Sequence, residues 1–126
     1  MSKYAIVTGA SRGLGAACAE GLAMDGYDLI ITYRENADKA AAVKADLENK
    51  YGVTVKTYQI NIRNEEEVIA FRAWAEQEMG TGLAVLVNNA GIYTNQPTET
   101  MNTKDFCDVV DVNVKGTFFM TRYFVD

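Results

Sequence analysis

Two short stretches and one lone side chain in this sequence have the types and spacing to do chemistry. Thr8-Gly9-Ala10-Ser11-Arg12-Gly13-Leu14-Gly15 follows a short β-like run and opens an amphipathic stretch. At such a junction, main-chain N–H groups and the helix dipole can hold a pyrophosphate. Gly9 then permits the tight turn, Gly13 brings main chain close to phosphate with no Cβ in the way, and Gly15 lets the helix pack against the sheet. Ser11 adds a hydroxyl donor. The same glycines also suit a turn chosen for conformation alone, so the loop by itself is a weak signal. Asn88-Asn89-Ala90-Gly91 directly follows an apolar run, and Asn113 lies within Val112-Asn113-Val114-Lys115-Gly116.

Other chemistries are excluded by what the chain lacks. Histidine is absent, which removes Ser-His and Cys-His nucleophile pairs and the usual zinc ligand sets. Cys18 and Cys107 are far apart and form no CxxC pair; both are expected to be small core residues, and no metal site is expected.

The elements that must position these residues follow from periodicity. Strand-length apolar runs alternate with helix-length amphipathic stretches four times, with no Pro-rich or low-complexity linker. The first strand covers about Tyr4 to Thr8, and the first helix runs from about Gly13 to Met24, with Gly26 closing it in a left-handed conformation. Asp28 to Tyr33 is the second strand. Asn36 is placed to cap a helix to about Lys50, with Ala40, Val43, Leu47 and Tyr51 on one face and Gly52 at its end. The third strand spans about Thr54 to Asn61. Asn64 with Glu67 resembles a capping box for a helix whose Val68, Phe71, Ala75 and Met79 share a face, ending at Gly80 to Gly82. Leu83 to Val87 is apolar throughout, as in a central strand buried on both faces. The last helix starts near Thr103 and carries Phe106, Val109, Val110, Phe119 and Phe124; the poor helix formers Val112, Asn113, Val114 and Gly116 predict an irregularity near Asn113. Four βα units with right-handed crossovers predict one α/β domain over residues 1–126, a doubly wound parallel sheet of Rossmann type.

With these motifs in register, the chain resembles the short-chain dehydrogenase/reductase family from Tyr4 onward, and its motif order and spacing are close to those of the family's 3-oxoacyl-acyl-carrier-protein reductases. The resemblance implies strand order 3-2-1-4, with a fifth strand beyond residue 126, and an oxidoreductase acting on a small carbonyl or alcohol. It implies that Asn89, Ala90 and Gly91 run beside the ribose and nicotinamide of the cofactor; the asparagines also suit a purely structural role, with Asn88 well placed for internal hydrogen bonds. An acid at the end of the second strand would favour NAD, whereas this chain has Tyr33-Arg34. Arg34 and Arg12 can clamp a 2′-phosphate, so NADP is expected over NAD, unless they are merely solvated surface arginines. Where the family usually carries an Asp and a small apolar residue for the adenine, this chain has Asn61-Ile62, and an amide oxygen can still accept from the adenine amino group.

The family's proton donor is a Tyr-x-x-x-Lys pair, in which the lysine lowers a tyrosine pKa that is otherwise about 10. None of the seven tyrosines here is followed by such a lysine. The pair and its serine are expected beyond residue 126, leaving Asn113 as the only catalytic member present and the chain inactive alone. Tyr93, just after the Asn-Asn-Ala-Gly turn, is a poor substitute acid without a lysine beside it. A nucleotide-binding or interaction module without redox chemistry, or an inert fragment, is the alternative.

The net charge of −5, with scattered Lys and Arg, argues against nucleic acid as a partner. With no signal-like or membrane-length apolar run, the expectation is a cytoplasmic chain that binds no membrane. An apolar edge at Leu83 to Val87 and a Phe-rich last helix predict marginal stability and self-association or homo-oligomers.

Overall fold

Strand alternation decides how the chain layers. The structure, a computed structural model, describes residues 3–92 and 96–125. Its elements are β1 (Tyr4–Val7), α1 (Gly13–Met24), β2 (Asp28–Tyr33), α2 (Ala37–Tyr51), β3 (Val55–Gln59), α3 (Glu65–Met79), β4 (Leu83–Val87), α4 (Thr103–Val110), a π-helical segment (Asp111–Gly116) and α5 (Thr117–Phe124). All strand pairs are parallel, in the order β3-β2-β1-β4. Successive side chains of a strand point to opposite faces. Tyr4, Ile6 and Ile30 therefore join a core with Val68, Phe71, Ala75, Met120 and Phe124. Ala5, Val7, Leu29 and Ile31 join another with Ala19, Ala23 and Leu47. Helices α1 and α2 thus cover one face of the sheet, and α3 and α5 the other, as the doubly wound reading requires.

Small residues set the closeness of α1. Its buried positions are Gly15, Ala19 and Ala23, one every four residues, so the helix presents a ridge with little side chain to the sheet. Cys18, one position off that ridge, is exposed, and so is Cys107 on α4. Both cysteines were expected in the core; each instead falls on the outer side of its helix.

The caps differ in detail from the sequence reading. Asn64 accepts from the Glu67 amide at 3.2 Å, but the Glu67 carboxylate takes the Asn61 amide at 3.2 Å instead of closing the box on Asn64. Asn36 makes no side-chain cap bond, because its φ of −103° and ψ of 70° depart from the extended backbone that aims a capping oxygen at the first turn. Gly52 ends α2 with φ +69°, a left-handed position that glycine takes without strain.

Strand β4 pairs with β1 alone among the described residues. Its register slips between Tyr4 and Ala5, which face Leu83 and Val85. Ala84 is skipped and exposed, and the rest of the strand is half-buried. The apolar run led us to expect a strand buried on both faces; as an edge it has cover on too few sides. The irregularity expected near Asn113 is the π-helical segment itself, which interrupts the last helix with one wider turn. Among the described residues no helix is long and apolar enough to cross a membrane.

Candidate functional site

The chain leaves β1 for α1 on one side and enters β4 on the other, so the strand order reverses between these two strands. At this point a crevice forms outside the carboxyl ends of a parallel sheet. Here it is a cleft of about 540 Å³ lined by the glycine loop, the ends of β2 and β3, and the turn after β4.

Thr8 joins the two loops. Its buried Oγ1 accepts from the amides of Asn89 at 3.0 Å and Ala90 at 2.9 Å. In return, Asn89 Nδ2 donates to the carbonyls of Thr8 at 3.2 Å and Gly9 at 3.1 Å. Asn89 thus ties the two loops together, while the internal bond expected of Asn88 runs to the last helix. Asn88, turned the other way, donates to Thr121 Oγ1 at 3.3 Å. The packing here is tight enough to dictate residue type. Gly9 has φ +65°, and a Cβ on it would lie 2.9 Å from the Ala90 Cα. A Cβ on Gly15 would lie 2.4 Å from the Gly9 carbonyl oxygen and 2.5 Å from Asn89 Nδ2.

Gly13 contrasts with both. It also has positive φ, +61°, yet a Cβ there would meet nothing within 4 Å, and the residue lines the cleft. The first-turn amides of α1 have no intrahelical acceptors, as at any helix start. Arg12, at the N-cap, gives them no side-chain bond, and the first turn holds no acid. Helices α2, α3 and α4 each carry an acid in the first turn. The positive end of α1 is therefore left for an external anion.

Arg12 and Arg34 line the cleft, and neither has an ion-pair partner among the described residues. Tyr33, Asn61, Ile62, Asn89, Ala90 and Gly91 line it too, so with Gly9, Gly13 and the two arginines ten of the expected site residues come together. Counted in full, the expected lining residues are Gly9, Arg12, Gly13, Tyr33, Arg34, Asn61, Ile62, Asn89, Ala90 and Gly91. Ser11, Leu14 and Gly15 do not line the cleft: Gly15 is buried beneath it and Leu14 is exposed. Asn113 belongs to the neighbouring π-helical segment. Its Oδ1 accepts from the Ile92 amide at 2.8 Å and its Nδ2 donates to the Ile92 carbonyl at 2.7 Å. The carboxamide thus clamps the chain leaving Gly91. Tyr93 lies outside the described residues.

Sequence reasoning missed Thr32, Glu35, Asn36, Ile60, Ile92 and Val112 as cleft residues. Thr32 is structural as well, its Oγ1 accepting from the Gly9 amide at 3.3 Å and its carbonyl from the Ala10 amide at 3.0 Å. Nothing in the sequence separates it from an ordinary β-branched strand residue.

The sequence matches the short chain dehydrogenase family over residues 3–126. The chain belongs to this family. It is 40% identical over 118 residues to a 3-oxoacyl-acyl-carrier-protein reductase of Staphylococcus aureus, covering 94% of this chain and 47% of that protein. An alcohol dehydrogenase of Thermococcus sibiricus, solved with 5-hydroxy-NADP, superposes with a TM-score of 0.93 at 31% identity, over 100% of this chain and 53% of that one. A short chain dehydrogenase of Burkholderia cenocepacia, solved with NADP, gives a TM-score of 0.90 at 35% identity, over 97% of this chain and 49% of that one. The chain spans about half the length of the curated relatives it matches.

Proposed function

We propose that this chain forms the NADP(H)-binding half of a short-chain oxidoreductase that interconverts a small carbonyl compound and its alcohol. The observation that carries the reading is the positive end of α1, without an acid in its first turn, beside a cleft lined by two arginines that have no ion-pair partner among the described residues. The residues present fit a dinucleotide: the first-turn amides of Gly13, Leu14 and Gly15 suit its diphosphate, with the Ser11 hydroxyl as a further donor. Arg12 and Arg34 suit a 2′-phosphate. Beyond β2 in sheet order comes the end of β3, where Ile60 and Ile62 offer an apolar seat and Asn61 a polar edge for the base. On the other side of the loop, Asn89, Ala90 and Gly91 suit the ribose and nicotinamide. Solved relatives holding NADP or NADPH support the cofactor choice.

When bound, the cofactor supplies or accepts the hydride. This chain's residues bind and orient it: Thr8 and Asn89 lock the two loops together, and Asn113 keeps Ile92 and the turn before it in place. We assign Asn113 this positioning role in the catalytic set. Proton delivery needs a tyrosine whose pKa a cation lowers, and no tyrosine in residues 1–126 has a lysine four positions on. Residues 1–126 by themselves therefore bind cofactor without turning over a carbonyl, which is also the behaviour of a non-catalytic nucleotide module. Titration of the chain with NADPH, followed by nicotinamide fluorescence, should show saturable binding and no oxidation on adding a ketone. Absence of binding would refute the reading.

The exposed edge of β4 and the exposed side chains of Phe106, Val114 and Phe118 support self-association of this chain. Light scattering after size exclusion should give a mass above 13.9 kDa, the mass of one chain. A clean monomer at all concentrations would contradict it.

A further inference from the structure

Asn113 reaches Ile92 from a π turn, a backbone form that is rare and short where it occurs. Its seat has little slack, since a Cβ on Gly91 would lie 3.1 Å from Asn113 Oδ1. Two adjacent residues of the loop between β3 and α3 touch the last helix on either side of that turn. Ahead of it, Arg63 Nη1 donates to Asp108 Oδ1 at 2.9 Å, one helical turn before the π segment opens at Asp111. Lys104 Nζ donates to the other carboxylate oxygen at 2.6 Å. Hydrogen bonds from Lys104 and Arg63 hold the Asp108 carboxyl below the usual carboxylate range.

Behind the turn, Gly116 is buried against Ile62: a Cβ on it would lie 2.6 Å from both Ile62 Cγ1 and Ile62 Cδ1. Gly116 has φ −60° and ψ −46°, an ordinary helical conformation, so glycine stands there for space and not for backbone freedom. Ile62 is branched at Cβ and stiff about χ1, so its Cγ1 does not swing aside cheaply. The isoleucine is thus a knob in a notch that the missing side chain leaves, and Val112 of the π segment lies in the same core cluster.

We propose that Ile62 and Arg63 are positioning residues for Asn113: by holding Gly116 and Asp108 they set the π turn that presents the Asn113 carboxamide to Ile92. The proposal rests on the positioning role given to Asn113 above and adds what fixes that residue's own place. Contact size is the quantity that matters at Gly116, so a methyl added there is a wedge, and trimming Ile62 makes room for it.

The test is amide hydrogen exchange, read by NMR on the chain without nucleotide, with the Ile92 amide compared against Ile30 in the middle of the sheet. Gly116→Ala should lower the protection of Ile92 relative to Ile30 by about tenfold, the factor one hydrogen bond is worth. Ile62→Ala should also lower it, and the double variant Ile62→Ala, Gly116→Ala should lie closer to wild type than either single, a non-additive result. Arg63→Ala should lower it by about threefold, as for a partly exposed ion pair, and Arg63→Lys should recover most of that loss. Unchanged Ile92 protection in Gly116→Ala or in Arg63→Ala, an equal fall at Ile30, or a double variant at the product of the two singles would each overturn the proposal. Because no nucleotide is present, such a result leaves the dinucleotide reading standing, and NADPH titration of the wild-type chain decides that reading separately.

Discussion

Replacing Gly15 by alanine is expected to weaken NADPH binding at least about tenfold and to destabilise the chain, while Gly21→Ala on the same helix does neither. The new methyl at position 15 would lie 2.4 Å from the Gly9 carbonyl oxygen and 2.5 Å from Asn89 Nδ2, two groups that bond each other at 3.1 Å. It would wedge apart the contact that ties the glycine loop to the turn after β4. Overpacking costs about 1–3 kcal/mol and the hydrogen bond adds about 1 kcal/mol. The Tm should fall by roughly 10 °C on that account. Affinity should fall at least about tenfold, because the displaced loop carries the amides proposed for the diphosphate and each 1.4 kcal/mol is a factor of ten. At Gly21 a Cβ meets nothing within 4 Å, so alanine should be neutral or stabilise by up to about 1 kcal/mol. Thermal melts and NADPH titrations of both variants check the pair. Equal behaviour of the two would show that the close approach at Gly15 has no role.

The second large effect concerns the two arginines. The double variant Arg12→Ala, Arg34→Ala should lose NADPH affinity on the order of a hundredfold while its NADH affinity stays nearly constant. Each guanidinium is exposed, so the low end of the range for bonds to charged groups applies, about 1.5 kcal/mol apiece. Together that is about 3 kcal/mol, or roughly a hundredfold. Salt should erode the wild-type preference for NADPH, because exposed charges are screened. Isothermal titration with both dinucleotides at two ionic strengths measures this directly. A parallel loss for NADH and NADPH would mean that the arginines support the loop and do not read the phosphate.

The sheet was legible because its signals are local. Asp28–Tyr33 and Leu83–Val87 occupy the spans read from the apolar runs, and the glycines at 26, 52 and 80 stop helices where their positive φ is needed. The burial of β4 was misjudged because an apolar run reports what a strand could bury, and cover depends on its neighbours. The cysteines were misjudged for a related reason: small size suits a core, but a rotation of one residue around a helix decides which side faces it. Most of the cleft followed from motifs lying at the ends of consecutive strands. Thr32 and Ile92 escaped because their parts are played by long-range bonds, to Gly9 and Asn113, that leave no mark on the local sequence. Both adjacent amides make internal bonds, Asn88 to Thr121 and Asn89 to the glycine loop, and only the geometry after Val87 tells which side chain turns which way.

The central claim is that main-chain amides at the start of α1 hold the cofactor's diphosphate. It is tested most directly by following the backbone amide resonances of the chain during titration with NADPH. Large, saturable shifts are expected at Gly13, Leu14 and Gly15, with the fluorescence Kd recovered from each. Saturation with those three resonances unmoved, or no saturation at all, would contradict it.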